Sequence, residues 1–252
     1  MIIFKELQLP HQIPISIVIP MYNEVDNVEP FVNEIHDALK DKVATFEIIV
    51  VDDGSSDGTG ERLTQLKSSV PTLRVLGHLG NFGQSAATVS GIRAAIHPWI
   101  ITMDGDAQND PHDIPLLLEK LEQQSDLSQP LLIAGNRKKR NDSALRKLSS
   151  RVGNGVRNAI LKDDCMDTGC SLKLFSRDTF MKMPHFNHLH RFIPSLIKRA
   201  GGKIINVPVS HRARTHGTSK YGVMNRLWVG IVDLFGVKWL MKRPCNPNVK
   251  EI

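Results

Sequence analysis

The sequence predicts an α/β fold in which a mostly parallel, doubly wound central sheet is flanked by helices. Three observations predict it. Short apolar runs alternate with stretches of helical spacing. The runs lack the in-out alternation of a half-exposed strand, as strands buried on both faces do. Polar motifs rich in glycine and aspartate follow the runs, where such a sheet opens its ligand crevice. At 252 residues and 41% hydrophobic content, the chain can bury one substantial core.

The expected strands are Ile15 to Pro20 (ISIVIP), Phe46 to Val51 (FEIIVV), Leu73 to Leu76 (LRVL), Trp99 to Met103 (WIITM) and Leu131 to Ala134 (LLIA). Helical patterns lie between them: Val28 to Leu39 opening after Asn27, Thr59 to Lys67 after Asp57-Gly58, Gly83 to Ile96, and Asp113 to Gln123 after Asp110-Pro111. The motifs PMYNE, DDGSSDG, GNFGQ and DGDAQND fall at the ends of the first four strands. Further on, Asn136 to Arg140 (NRKKR) reads as a basic loop and Ala144 to Leu161 as a basic helix, while Ser171 to Phe175 and Lys203 to Val209 read as strands. Asn225 to Met241 is a C-terminal amphipathic helix, apolar at 228, 231, 232, 235 and 239 and interrupted by Asp233 and Lys238. It is too short and too interrupted for a transmembrane span. With Arg226, Lys238, Lys242, Arg243 and two tryptophans, it suits either a membrane interface or a core-facing position.

The net charge of +6 is unevenly spread. Residues 1–130 hold 8 Lys/Arg against 19 Asp/Glu, a balance of −11, and residues 131–252 hold 24 against 7, a balance of +17. An acidic half can bind a cation and a basic half can meet an anion. The start, MIIFKELQLPHQIP, has neither the basic region nor the long apolar region of a signal peptide. Cys165, Cys170 and Cys245 are an odd set with no C-x-x-C pair, which argues against a disulfide framework and a thiolate zinc site and for a reducing cytoplasm.

ITMDGDAQNDP, Ile101 to Pro111, crowds carboxylates after an apolar strand, which repulsion disfavours unless a cation compensates. Asp104, Asp106 and Gln108 alternate, so a persisting extended backbone would point all three one way. Three hard oxygen donors suit Mg²⁺ or Mn²⁺. Asp52 and Asp53 end the second strand before a turn in which Asp57 can cap a helix, and a carboxylate there could accept hydrogen bonds from a base or ribose. GNFGQ, with Asn81, resembles a phosphate cradle at a helix N-terminus, but its glycine spacing fits neither G-x-G-x-x-G nor a P-loop. His185, His188 and His190 lack a thiolate or carboxylate at metal-ligand spacing and are read as capping, packing or surface groups.

Taken together, IPMYNE, VVDDGSSDGT, NFGQSAA with GIRAA, MDGDAQNDP, a basic segment, DTGCSLKLF, HRFIP and RTHGTSKYG resemble the family 2 glycosyltransferases of GT-A fold. Within them the set is most similar to the polyprenyl-phosphate sugar synthases, from dolichol-phosphate mannose synthase to bacterial undecaprenyl-phosphate enzymes. The likeness spans residues 13 to 243. It implies a catalytic domain over 1–243, with a nucleotide-sugar and metal half (1–130), an acceptor half (131–224), a membrane-interface helix (225–243) and a tail (244–252).

The resemblance also implies roles. Pro20, Tyr22, Glu24, Asp52, Asp53, Asn81 and Asp104 would bind the nucleotide-sugar. Asp104, Asp106 and Gln108 match a metal-binding D-x-D-x-Q. Arg137, together with Arg146 and Ser150 of an R-x-x-x-S motif, would hold the acceptor phosphate. Arg214 and Lys220, in R-x-x-G-x-S-K, would close over both phosphate groups and join Asp104 and Asp106 in catalysis. The expected activity is inverting, metal-dependent transfer from a UDP- or GDP-linked sugar to undecaprenyl or dolichyl phosphate. Its place would be the cytoplasmic face of a membrane, with a separate membrane-anchoring protein as a further candidate partner. Arginine forks in the basic half suit a phosphate acceptor. No general base is needed for an ionised phosphate. For a hydroxyl acceptor, the alternative, Asp167 in DTGC would be the first candidate base. A third reading, a nucleic-acid-binding module, meets only 6% aromatics and no basic-aromatic motif.

Overall fold

The computed structural model describes residues 11–137, 155, 157–213 and 223–243, with side chains of the last segment from 230. Seven strands form one sheet: β1 (Ile15–Met21), β2 (Phe46–Asp52), β3 (Leu73–Gly77), β4 (Trp99–Thr102), β5 (Leu131–Arg137), β6 (Lys173–Ser176) and β7 (Lys203–Val209). Their order is β3-β2-β1-β4-β6-β5-β7. β6 runs antiparallel to both neighbours, and the other pairs are parallel. Helices α1 (Val25–Leu39), α2 (Thr59–Leu66), α3 (Gln84–Ala94), α4 (Ile114–Glu122), α5 (Arg177–Met181), α6 (Ile193–Arg199) and α7 (Val223–Met241) complete the layers.

The apolar runs of β1 and β2 are strands because both of their faces are covered. Along β1, Ile15, Ile17 and Ile19 enter one core with Val28, Phe31 and Ile35 of α1, while Val18 points the other way to meet Ala87 and Ile92 of α3. β2 repeats the pattern, with Ile48 and Val50 on one side and Ile49 and Val51 on the other. Each such side chain, fully withdrawn from water, contributes about 1.5–3 kcal/mol.

Three sequence expectations shift. α1 begins at Val25 rather than after Asn27, because Asp57 Oδ2 accepts from Val25 N (3.1 Å) and Thr59 Oγ1 accepts from Glu24 N (2.9 Å). Asn27 is thus in the first turn, donating to Glu24 Oε2 at 2.6 Å. The strand expected through Met103 ends at Thr102. Asn136 and Arg137, read as the start of a basic loop, instead end β5. Of the helix expected over 144–161, residues 155 and 157–161 lie among the described residues and are helical.

Strand order reverses on either side of β1, so the crevice between the carboxyl ends of β1 and β4 is the topological switch point where ligands bind in open α/β sheets. The register sets its floor: Met21 pairs with Asp52, and Asp52 with Gly77.

Candidate active site

Four loops meet at this edge. The loop after β1 is stitched to the loop after β2 by Asn23 N to Ser55 Oγ (2.8 Å) and Ser56 N to Asn23 Oδ1 (2.8 Å), with Asn23 at φ 51. Such a backbone, rare outside glycine, persists where the surroundings hold it, commonly at functional sites. Pro20, Tyr22, Glu24 and Asp52 are partly exposed here, and Asp52 Oδ1 accepts from Ser55 N at 3.1 Å. The third loop presses against the second. A Cβ on Gly54, at φ +72, would lie 2.7 Å from Gly80 Cα, so only glycine fits.

Asp53 departs from its expected role in nucleotide binding. It is 2% exposed. Its oxygens accept from Phe82 N (3.0 Å) and Gly83 N (2.7 Å), and Oδ1 lies 2.7 Å from His78 Nδ1. The amides expected to cradle phosphate at the start of α3 are therefore committed to this internal carboxylate. Asp53 fixes the loop's shape, while Asn81 stands exposed on it.

The fourth loop carries the acidic cluster. Its backbone turns after Met103 instead of staying extended, with Ala107 at φ 57. It lies directly over β1: a Cβ on Gly105 would come within 2.6 Å of Met21 Cγ and 3.0 Å of Pro20 O. Asp104 Oδ1 accepts from Gln84 Nε2 (2.6 Å), and Asp104 N donates to Ser171 Oγ (3.0 Å). Asp106 Oδ1 accepts from Gln108 N at 3.2 Å. Burial first, and the neighbouring Asp106 charge second, push the Asp104 carboxyl up to about 6. Two neighbouring carboxylates, with an amide two residues on, are a hard-oxygen donor set that fits Mg²⁺ or Mn²⁺.

Positive charge reaches this cluster from behind. Lys173 on β6 is 3% exposed, donates to the Thr168 and Cys170 carbonyls, and counteracts the rise at Asp104, as does Arg137 more weakly. Gln84, Ser171 and Lys173 were missed as site residues. The sequence signal was adjacency to NFG and DTGC, but their convergence on Asp104 requires β6 to lie beside β4.

Arg137 is not poised as an open phosphate fork. Its Nε and Nη2 donate to Asp167 Oδ2 (2.6 Å) and Oδ1 (2.8 Å). Desolvation weakens its charged form, but the Asp167 contacts outweigh that and hold its pKa above the usual value. The same pairing occupies both oxygens of Asp167. Arg146, Ser150, Arg214 and Lys220 lie outside the described residues.

The histidines do not converge. His185 Nε2 meets the Phe180 carbonyl (3.2 Å), His188 Nδ1 meets Asp233 Oδ2 (2.9 Å) and His190 Nδ1 meets Ser85 Oγ (2.7 Å). Cys165 and Cys170 are buried free thiols, each pushed up by burial, Cys165 to about 11.

On α7, Val237 faces inward with Leu161 and Phe192. Of the stripe singled out in the sequence, Ile231, Val232, Phe235 and Trp239 face outward at 37%, 67%, 64% and 60% exposed, and the side chain of Trp228 lies outside the described residues. Arg243 lies 5.5 Å over the Trp239 ring. The core-facing alternative is thereby excluded for these four residues. No helix among the described residues is long and apolar enough to cross a membrane.

Comparison with known proteins agrees with this geometry. Over 241 residues the chain is 36% identical to a dodecaprenyl-phosphate galacturonate synthase of Rhizobium johnstonii, covering 93% of this chain and 69% of that protein. Over 223 residues it is 34% identical to an undecaprenyl-phosphate 4-deoxy-4-formamido-L-arabinose transferase of Edwardsiella ictaluri, covering 88% and 65%. The chain thus spans about two thirds of the length of these relatives. Among solved structures, it matches a mannosyltransferase of Pyrobaculum calidifontis in complex with GDP-Man and Mn²⁺ (TM-score 0.66, 20% identity, 95% of this chain and 66% of that one). It also matches glucosyl-3-phosphoglycerate synthase of Mycobacterium tuberculosis with Mn²⁺ and UDP (TM-score 0.65, 18% identity, 93% and 81%). These two share the GT-A fold expected above. The family described as "Glycosyl transferase family 2" matches residues 16–183. The chain belongs to glycosyl transferase family 2, and it is an enzyme of the glycosyltransferase class.

Proposed function

We propose that the chain transfers a sugar, with inversion, from a nucleotide-sugar to a polyprenyl phosphate at a membrane surface on its cytoplasmic side. The observation that carries this is the Asp104–Asp106–Gln108 loop at the switch-point crevice, backed by Lys173 and lying over the end of β1. Pro20, Tyr22, Glu24 and Asp52 form the wall for the base and ribose. The names of the relatives support a lipid-phosphate acceptor, and the outward apolar stripe of α7 beside Lys238, Lys242 and Arg243 suits an anionic bilayer surface.

A lipid phosphate with a second pKa near ~6 is mostly ionised at neutral pH and needs orientation more than deprotonation. One of its oxygens attacks the sugar C1 as the bond from C1 to the nucleoside diphosphate breaks on the opposite face. The paired state of Asp167 agrees with a reaction that uses no general base. A divalent cation held by Asp104, Asp106 and Gln108 would neutralise charge on the diphosphate. Arg146, Ser150, Arg214 and Lys220 remain the proposed acceptor-phosphate contacts, on sequence grounds.

The test is transfer of radiolabelled sugar to undecaprenyl phosphate. Asp106→Ala is expected to abolish it while the protein stays folded, and near-normal transfer would reject the metal role. Labelling of oligosaccharides instead of the lipid phosphate would favour the hydroxyl-acceptor alternative.

A further inference from the structure

Arg212 precedes Arg214 by two residues and lies against the acidic loop. Its guanidinium bridges two elements, with Nη1 2.6 Å from Glu34 Oε1 on α1 and Nη2 2.7 Å from Asp110 Oδ2. Its main chain exchanges two hydrogen bonds with Gln108: Arg212 N donates to the Gln108 carbonyl (3.0 Å), and Gln108 Nε2 donates to the Arg212 carbonyl (3.4 Å). Ser210 N adds a bond to Asp113 Oδ2 at 2.6 Å. The segment leading to Arg214 is thus stitched along residues 108–113.

We propose that Arg212 is a positioning residue which fixes the Gln108 side chain for the metal and joins that loop to the segment entering R-x-x-G-x-S-K. The inference rests on the metal reading of Asp104, Asp106 and Gln108. A side-chain amide has one oxygen and one nitrogen, and only the oxygen suits a hard cation. The bond from Nε2 to the Arg212 carbonyl commits the nitrogen and so decides which end serves as ligand. The guanidinium holds residue 212 in place by gripping α1 and Asp110 together, a bridge that lysine, with a single ammonium, cannot reproduce in planar form. Groups that orient metal ligands in this way typically govern affinity by about 10- to 100-fold.

The cluster around Arg212 also dictates the design of the test. Ligand atoms of Glu34, Asp110 and His112 lie within 4.8 Å of one another. Arg212 supplies the positive charge there, and its removal alone would leave a decoy for a cation. Mn²⁺ binding is therefore measured, by loss of the free-ion EPR signal, on wild type, Asp106→Ala, Arg212→Lys and the double variant Arg212→Gln/Glu34→Gln. Wild type is expected to bind, Asp106→Ala to lose binding, and both Arg212 variants to bind about 10-fold more weakly, with KM for undecaprenyl phosphate raised as well. Wild-type affinity in the Arg212 variants, with only a lower Tm, would overturn the positioning role and leave the metal site standing. Equal binding by wild type and Asp106→Ala would overturn the metal reading itself, and this inference with it.

Discussion

The pairing of Arg137 with Asp167 separates a structural carboxylate from a catalytic one. The two side chains are 12% and 7% exposed and joined through the Nε and Nη2 edge of the guanidinium. Asp167→Asn keeps the volume but leaves a buried cation without its counterion, a change that typically costs about 3–5 kcal/mol. For a chain of this size, that is a fall of roughly 10 °C in Tm. The neighbouring Asp104 carboxylate, to which Arg137 is electrostatically coupled, will recover part of the loss. Differential scanning calorimetry measures the fall. Arg137→Met/Asp167→Leu, which removes both charges, should regain most of the stability, since an apolar pair of similar size commonly replaces a buried ion pair at little cost. That variant should still transfer sugar more slowly, because Arg137 no longer acts on Asp104. An Asp167→Asn protein with unchanged Tm and abolished transfer would refute the argument and restore Asp167 as a general base.

Three other outcomes follow from the structure. Burial first, then the positive charges of Arg191 and Lys173, depress the His190 imidazole to about 3. The unfolded chain takes up a proton there below about 6.5 while the folded chain does not, so stability falls as pH drops through that window, by about 2 kcal/mol at pH 5. Asp104, raised to about 6, works in the opposite sense over the same range, so urea titrations at pH 7.5 and 5 must compare wild type with His190→Gln, and a constant difference between them would contradict the assignment. Replacing Phe235 and Trp239 together by serine should reduce binding to anionic vesicles about 100-fold, or about 3 kcal/mol, with Tm unmoved; undiminished sedimentation with vesicles would count against the membrane face. Gly54→Ala should lower stability by at least about 1–2 kcal/mol from backbone handedness alone, more with the collision at Gly80, and chemical denaturation showing no loss would mean that the two loops are not held together.

Sequence made the strands legible because burial on both faces writes itself as uninterrupted apolar runs, and β1, β2 and β5 begin where those runs begin. Less legible were features whose cause lies far along the chain. The start of α1 is set by Asp57 and Thr59, more than thirty positions from the amides they accept, so Asn27 looked like a cap and is not one. Asp53 looked like half of a ligand-reading acid pair, but its oxygens serve amides and an imidazole on the next loop. The acidic cluster was found by its crowding alone. Lys173 and Arg212, which hold it from behind and from the side, read as ordinary basic positions because their partners come from other strands and loops. For α7 the periodicity identified an apolar stripe but could not say whether the stripe faced protein or the outside.

The reversed strand β6 has a consequence for dissecting this enzyme. It wedges between β4, which launches the acidic loop, and β5, which opens the basic half. A fragment ending at residue 130 would forfeit that wedge, baring the main-chain donors and acceptors of β4 as a sticky border while stripping Ser171 and Lys173 from Asp104. Residues 1–130 are therefore no detachable module, and exchanging segments between relatives should succeed through loops around an intact sheet, not by splicing one half-chain onto another.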